Sequence, residues 1–414
     1  MVAPSAEPPL SWSDLQTFAA EEPNPLTGPT NPRSRLRTFG QPEAAVRVTL
    51  FRDHHAWCPY CQKVWLWLEE RQVPYRVAKV TMFCYGEKED WYRRRVPSGM
   101  LPAIELDGRL VTESDRILEV LEASFGSLGP GMNDSRVLPL RRLERLLFRA
   151  WCQWLCQPLG PGAAERARLA FDEVAARMAE ALEATPGTFL LGDLSTADLV
   201  FVPYVERMSA SLAYYKGYLL RRRHPAIDRW FAALEQRSTY LGTQSDFHTH
   251  VHDLPPQMGG CFVEATPERR QLAERIDHGP WPIVDVGPDP ETSEAPPADA
   301  AARAIARVLR HRGVLVRRYS REGDGFDAAL RCALTYLALG MDCPPPSGSA
   351  AALRTLRDRI CVPRDMPLHA ARRLRQALEH TAGLDPADPS AQGLPIPVQH
   401  RRDQDPAPFV AEAG

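Results

Sequence analysis

A chain of 414 residues is long enough for two or three domains. Its formal charge of −2 gives no overall field that would recruit nucleic acid or an anionic membrane, and no apolar run reaches the 18 or so residues of a spanning helix. The nine cysteines have no framework spacing, which suits a reducing compartment. We therefore expect a soluble protein of a reducing compartment, and leave open whether a transit peptide was removed.

The first 45 residues are rich in proline and predict an extended arm with one short helix near residues 11–20. The stretch 46–126 then predicts a small mixed α/β sheet in the order βαβ(α)ββα. Asp107-Gly108 lies between two short apolar runs, which is typical of a tight hairpin. The predicted elements are strands at 46–51, 75–80, 103–106 and 109–111, helices at 62–70 and 114–125, and a helical or loop stretch at 87–95.

Residues 135–240 show four amphipathic helical patterns and predict an all-helical bundle that we extend to residue 260. One pattern begins at Ser195-Thr-Ala-Asp198, where Ser195 is the expected N-cap and Asp198 replaces the usual Glu of a capping box. A proline-rich linker (265–300) follows. Helical periodicity returns over 301–382, and the tail from 383 to 414 has the composition of a disordered segment.

The segment Trp57-Cys58-Pro59-Tyr60-Cys61 carries the clearest chemical signal of the chain. Cys58 would precede the helix after the first strand, where free backbone amides and the helix dipole favour a thiolate. Pro59 would occupy the first helical position, where its missing N–H has no cost. Cys58 is therefore the predicted nucleophile, and Cys61, one turn further on, is the predicted resolving thiol.

A Cys-x-x-Cys pair is also compatible with half of a zinc site, but no second such pair follows. The segment 246–252 offers three histidines at alternate positions. In an extended conformation they would share one side, as metal ligands can; otherwise the segment is a polar stretch packed on the bundle. We expect no metal. Arginines recur over 303–321 without an aromatic platform, so we expect a solvated or docking face and no nucleic acid.

Four motifs together resemble the glutathione transferases. The dithiol matches that of glutaredoxins, and Gly99–Ile104 matches the loop whose proline is cis in thioredoxin-like proteins. Glu113-Ser114-Asp115 matches an acidic-Ser motif, and Ser195–Asp198 matches the N-cap box of the helical domain. The resemblance implies a thioredoxin-like domain followed by an all-α transferase domain.

Most transferases of this family activate glutathione with Tyr or Ser, so Cys58 resembles the cysteine-type classes. The intact dithiol, the stretch 80–87 and the long C-terminal extension resemble the iota class of cyanobacteria, algae and plants most closely. The resemblance does not assign a role to the extension. The expected organisation is an arm (1–45), a thioredoxin-like glutathione-binding domain (46–126), an all-helical domain (135–260), a linker (265–300), a helical extension (301–382) and a tail (383–414).

The resemblance also implies glutathione contacts. Leu101, before a cis Pro102, would pair with the cysteinyl backbone of glutathione. A helix N-terminus at Ser114 would hold the γ-glutamyl carboxylate, and Glu113 the ammonium. The further expected contacts are Pro59, Tyr60 and, for the glycyl carboxylate, Lys88. His55 and Lys63 are either supports of the Cys58 thiolate or bystanders.

The implied activity is glutathione-dependent thiol transfer or dehydroascorbate reduction through a Cys58–glutathione mixed disulfide, with glutathione as co-substrate. Two alternatives stay open at this point: a non-catalytic module that binds glutathione or a small ligand, and an iron–sulfur carrier ligated by Cys58 and glutathione. The expected partners are glutathione, a small hydrophobic or disulfide acceptor, and a second copy of the chain. We expect no membrane partner, and the resemblance implies the cytoplasm or the plastid stroma as the location.

Overall fold

The computed structural model describes residues 8–278, 289–319 and 325–387. Within these residues, one mixed sheet has the strand order β1-β3-β2-β4-β5. β2 and β3 are parallel and the other neighbouring strands are antiparallel. The strands are β1 (Leu36–Arg37), β2 (Val48–Asp53), β3 (Tyr75–Val80), β4 (Ala103–Leu106) and β5 (Arg109–Thr112).

The predicted order of strands and helices from residue 46 to 126 is confirmed. α2 (Pro59–Glu70) makes the crossover between the parallel strands β2 and β3, α3 (Asp90–Arg95) precedes β4, and α4 (Ser114–Phe125) follows β5. The hairpin at Asp107-Gly108 is also confirmed: both residues have positive φ, 50° and 79°, as a two-residue turn matched to the strand twist requires. The first strand lies two residues later than predicted and includes Asp53.

The N-terminal arm contributes an edge strand that the sequence pattern did not predict. β1 is two residues long, too short for a periodicity, and pairs with β3. The guanidinium of Arg37 is buried against the carboxylate of Glu69 on α2, with Nε and Oε1 2.9 Å apart. The short arm helix α1 (Trp12–Gln16) was predicted, and Ser11 and Asp14 close it with a capping box.

The predicted helical bundle follows, and its apolar core is continuous with the face of the sheet that carries α2 and α4. The predicted N-cap box is confirmed, since Ser195 and Asp198 exchange capping hydrogen bonds. Asp198 also accepts from the indole of Trp230, 3.0 Å away. The helices are α5 (Val137–Leu155), α6 (Pro161–Glu183), α7 (Thr196–Lys216), α8 (Leu220–Arg223), α9 (Pro225–Leu234), α10 (Ser238–Thr243) and α11 (Phe247–Met258).

Two segments are helical in the structure. The histidine-rich segment belongs to α11, so its three histidines do not lie on one side as an extended segment would place them. The first part of the expected linker forms α12 (Pro267–His278), which ends just before residues 279–288, outside the described part of the chain. Pro267 is the first residue of α12, where the missing N–H of proline is tolerated.

The extension builds a second apolar core from four helices, and the arm completes it. Leu15 of α1 is fully buried in this core, and the indole of Trp12 donates to Asp327, 2.9 Å away. Glu22 of the arm pairs with Arg307 and Arg310 of the predicted basic stripe. The extension helices are α13 (Ala300–Tyr319), α14 (Phe326–Leu339), α15 (Ala350–Arg359) and α16 (Leu368–Gly383).

The fold class is therefore the predicted one: an α/β domain of thioredoxin type, an all-α domain and a helical C-terminal extension. The predicted disordered tail lies, from residue 388 onward, outside the described residues. Among the helices of the described ranges, none is both long and apolar enough to cross a membrane.

Candidate active site

The dithiol lies where β2 turns into α2. Cys58 is the N-cap of α2, and its sulfur accepts a hydrogen bond from the backbone amide of Cys61 at 3.4 Å. Pro59 occupies the first helical position, as predicted. A sulfur at this position faces the amides that begin the helix and the positive end of its dipole. Cys58 is thus an N-capping cysteine.

The two thiols differ in their surroundings. Cys61 is 1% exposed, against 6% for Cys58. Burial raises the pKa of the Cys61 thiol well above its ordinary value, and the hydrogen bond and charge of Cys58 raise it further. The more buried thiol is thus the harder one to deprotonate, as the predicted roles of nucleophile and resolving thiol require.

The predicted cis-proline loop lies against the nucleophile. The Leu101–Pro102 peptide bond is cis. The carbonyl oxygen of Leu101 is 3.9 Å from Sγ of Cys58. Tyr92 fixes the loop from α3, since its hydroxyl donates to the carbonyl of Met100 at 2.5 Å. The backbone of Leu101 is thus presented beside the sulfur, where an extended peptide can pair with it.

Asp53, at the end of β2, is a site residue that the sequence did not reveal. It is completely buried, and its Oδ2 accepts from the amide of Trp57 at 2.7 Å. One carboxylate oxygen lies within 4.8 Å of both sulfurs of the dithiol. A buried carboxylate in this place can accept the proton of Cys61 when that thiol attacks. Asp53, Cys58 and Cys61 are also the residues here that could hold a metal ion.

Arg207 of α7 was likewise missed, and it ties the helical domain to the dithiol turn. The buried guanidinium donates to the carbonyl of Trp57 at 2.6 Å, to Oε1 of Gln62 at 2.8 Å and to the carbonyl of Pro203 at 2.6 Å. Trp57 directly precedes Cys58. The planar guanidinium of arginine can donate to several acceptors at once. Its hydrogen bond to the carbonyl of Trp57 therefore fixes the turn that carries Cys58.

The acidic-Ser motif begins α4 as predicted. Glu113 has φ of 65° and makes no capping hydrogen bond to the helix, so a positive-φ residue precedes the first helical amides. Ser114 is the first helical residue and is buried. Lys63, one of the two candidate supports of Cys58, is instead ion-paired with Asp115. That ion pair joins α2 to α4, so the ammonium of Lys63 is paired with Asp115 and not with Cys58.

Lys88 and His55 both lie near the dithiol. The ammonium of Lys88 donates to the carbonyl of Thr81 at 2.9 Å. Burial lowers the pKa of Lys88, while the charges of Cys61 and Cys58 act to raise it, so this lysine is within electrostatic reach of both thiols. His55 is buried and stacks on the ring of Trp57, with centroids 4.5 Å apart.

The helical domain supplies an aromatic wall beside Tyr60. The rings of Tyr60 and Tyr204 meet edge to face with centroids 5.7 Å apart, and Phe148 extends the wall at 5.4 Å from Tyr204. Tyr204 thus brings α7 into contact with the residue that follows Pro59. Trp154 of α5 packs instead on Phe171 of α6.

The extension reaches this site through the segment between α15 and α16. Cys361 is buried in one apolar cluster with Trp57, Cys58 and Cys61. The guanidinium of Arg364 lies over the Trp57 ring, 5.4 Å from its centroid. The low exposure of the dithiol therefore results in part from a segment about 300 residues further along the chain.

Hydrogen bonds to α11 and to the residues before it hold this segment in place. The amide of Val362 donates to Oγ1 of Thr249 at 2.9 Å. Its carbonyl accepts from the hydroxyl of Ser245. The side chain of Val362 is buried. The backbone of Val362 thus docks the extension next to the site, on two hydroxyl side chains of the helical domain.

Two sequence-family models match the chain: "Glutathione S-transferase, N-terminal domain" over residues 57–124, and "Glutathione S-transferase, C-terminal domain" over residues 161–233. Glutathione S-transferase DHAR2 of Arabidopsis thaliana is 26% identical, covering 45% of this chain and 84% of the relative. Probable glutathione S-transferase DHAR1, cytosolic, of Oryza sativa subsp. japonica is 27% identical, covering 45% and 84%.

Among solved structures, the glutathione transferase Omega 3C of Trametes versicolor matches with a TM-score of 0.42 and 21% identity, over 57% of this chain and 91% of that one. The fold joins a thioredoxin-type domain that carries the dithiol to an all-α domain. The family models and the plant relatives show that these two domains are similar to those of the glutathione S-transferases. These matches support an enzyme of glutathione-dependent transferase or redox chemistry.

Proposed function

We propose that the enzyme is a glutathione-dependent thiol transferase and oxidoreductase that works through a mixed disulfide between Cys58 and glutathione. The observation that carries the proposal is the N-capping position of Cys58, with the Cys61 amide 3.4 Å from its sulfur and the Leu101 carbonyl 3.9 Å away. A thiolate is stabilised there, and an extended peptide can lie beside it.

In the first step the Cys58 thiolate attacks the glutathione sulfur of a mixed disulfide between glutathione and an acceptor. The sulfur–sulfur bond of the substrate breaks, the acceptor leaves as a thiolate, and Cys58 becomes bonded to glutathione. The tripeptide would pair with the backbone of Leu101 before Pro102. Its γ-glutamyl end would meet Ser114 and Glu113, and its glycyl carboxylate Lys88.

The enzyme–glutathione disulfide can then be resolved in two ways. A second glutathione thiolate attacks the bound glutathione, which releases oxidised glutathione and the Cys58 thiolate. Alternatively, Cys61 attacks Cys58 and expels glutathione as a thiolate, with Asp53 taking the Cys61 proton. Two further glutathione molecules then reduce the Cys58–Cys61 disulfide. Dehydroascorbate would enter by a different first step: the Cys58 thiolate adds to it, and a glutathione thiolate then attacks the Cys58 sulfur, which releases ascorbate and leaves the Cys58–glutathione disulfide. The same two routes resolve that disulfide, so in total two glutathione molecules become one oxidised glutathione for each dehydroascorbate reduced by two electrons.

Tyr60, with the aromatic wall of Tyr204 and Phe148, would receive the apolar part of an acceptor. Conjugation of glutathione to electrophiles should be weak, because the Cys58 thiolate competes with the glutathione thiol and does not activate it by a hydrogen bond. The association of two copies and the cytoplasmic or plastid location stay predictions of the sequence.

The test is the intact mass of the full chain after incubation with oxidised glutathione. Wild type should gain one glutathione or lose two protons, and Cys58→Ser should do neither. Cys84→Ser is the matched control, because Cys84 is buried in the same apolar cluster, and burial raises its pKa to about 12; this variant should behave as wild type. An adduct that persists in Cys58→Ser would refute the proposed nucleophile.

Turnover then separates the two routes. Cys58→Ser should lose deglutathionylation and dehydroascorbate reduction. Cys61→Ser should retain the route that uses a second glutathione, and its complete inactivity would show that the dithiol route is obligatory. Wild type that binds glutathione tightly but turns over no acceptor would instead favour a binding module.

A further inference from the structure

We propose that His248, His252 and Asp277 form a binding site for a divalent transition-metal ion, with Zn²⁺ as the ion that the donor set suits best. The site lies between α11 and α12, and none of its residues contacts the dithiol residues described above. Two imidazoles and one carboxylate are ligands that zinc commonly takes, with a fourth position left for water.

The helical conformation of α11 brings the two imidazoles together. His248 and His252 are four residues apart and therefore share one face of the helix, where their ring centroids are 4.9 Å apart. His250 lies on another face, with its Nε2 2.7 Å from Oε1 of Glu206. The three alternating histidines of the sequence thus divide into a pair of candidate ligands and one structural residue.

Asp277 completes the set from α12. One ligand atom from each of the three residues lies within 4.8 Å of the other two. Ligand atoms around a tetrahedral zinc ion are roughly 3.3 Å apart, given bonds of about 2.0–2.1 Å. His252 Nε2 and Asp277 Oδ1 are already 2.7 Å apart, so small side-chain rotations around this pair suffice to admit an ion.

The carboxylate is oriented by a second contact. The hydroxyl of Tyr214 on α7 donates to Oδ2 of Asp277 at 3.1 Å, so Oδ1 faces the imidazoles. A hydrogen-bonded ligand of this kind is typical of metal sites.

The burial pattern gives an ion a route to the site. The side chain of His248 is almost fully buried, whereas the side chains of His252 and Asp277 are 15% and 33% exposed. Solvent therefore reaches the site from the Asp277 side. Because α12 leads toward the extension, a bound ion would fasten that connection to the helical domain.

The competing interpretation is a plain His–Asp ion pair, and the chain supplies a control for it. His380 and Asp342 pair at the same 2.7 Å, but no third ligand joins them within the described ranges. If a His–Asp pair alone were enough to bind zinc, both places would bind equally.

The experiment is calorimetric titration of Zn²⁺ into the full chain carrying Cys58→Ser and Cys61→Ser, which removes the dithiol as a second site. We expect one high-affinity ion per chain. His252→Ala should weaken binding by about 100-fold or more, since loss of even an outer partner of a ligand costs 10- to 100-fold. His380→Ala should leave the affinity unchanged.

Asp277→Asn serves as a second variant, chosen because its side chain is partly exposed and the fold should tolerate the change. A Co²⁺-loaded sample should show visible bands typical of nitrogen and oxygen ligands, without sulfur-to-cobalt charge transfer. Equal Zn²⁺ affinity in His252→Ala, Asp277→Asn and His380→Ala would overturn the proposal, as would the absence of a high-affinity site. Neither outcome depends on thiol-transfer activity.

Discussion

Arg207 offers a sharp test of how the helical domain controls the nucleophile. Replacing it by methionine keeps much of the aliphatic volume but removes three buried hydrogen bonds, to the Trp57 and Pro203 carbonyls and to Gln62. Each buried acceptor left without a donor costs about 1–3 kcal/mol. The methionine stem recovers part of this, so we expect Arg207→Met to lower the free energy of unfolding by about 3–5 kcal/mol.

The same substitution should also slow the chemistry. The bond to the carbonyl of Trp57 is a charge-assisted contact directly before Cys58, of the kind that contributes about 1.5–3 kcal/mol. If this hydrogen bond stabilises the transition state, its loss should reduce turnover by roughly 10- to 100-fold, since 1.36 kcal/mol corresponds to a factor of ten. Urea unfolding measures the first effect, and deglutathionylation kinetics under folding conditions measure the second.

Arg221→Met is the matched control. Arg221 is as deeply buried and bonds Asp228 at 2.7 Å and Glu235 at 2.6 Å, but none of these partners touches the dithiol turn. It should lose a similar amount of stability and keep its turnover per folded molecule. If Arg207→Met and Arg221→Met reduce turnover equally, the positioning role of Arg207 is refuted and only its contribution to stability remains.

Three further predictions concern the thiols and their cover. Asp53→Asn should slow closure of the Cys58–Cys61 disulfide, measured as loss of the glutathione adduct by mass, and an unchanged rate would exclude Asp53 as the proton acceptor. In Cys58→Ser, alkylation of Cys61 should rise with pH only well above pH 8.5, because burial raises its pKa; a midpoint near 8.5 would contradict this. Val362→Asp should undock the extension segment and speed alkylation of Cys58 several-fold, whereas Leu339→Asp, on the exposed end of α14, should not; equal rates would show that the segment does not restrict access.

The sequence alone was sufficient for features whose causes lie within a few residues. The N-capping thiol depends on Cys58, Pro59 and the helix that follows, and the hairpin depends on two residues that accept positive φ. The capping box of Ser195 and Asp198 is closed by hydrogen bonds across three residues. Closing such short loops costs little entropy, so the same short sequence forms the same local structure in many folds.

The fold class and the division into an α/β and an all-α domain could also be predicted from the sequence. The spacing of apolar positions changes from about two residues, typical of strands, to nearly four residues, typical of helices. The sequence left open whether the histidine-rich segment is extended. Tertiary packing of α11 on α7 decides that segment, and its apolar residues Val251 and Leu254 are buried as helical neighbours.

Only the tertiary structure decided which distant residues surround the sulfur. Arg207 reaches the turn from 150 residues away, Cys361 from about 300, and Lys63 turns out to bind Asp115. The sequence around these residues does not distinguish them from other buried polar or apolar side chains. Their roles follow from long-range packing, in which a few kcal/mol of burial and hydrogen bonding select one arrangement among many that the local pattern allows.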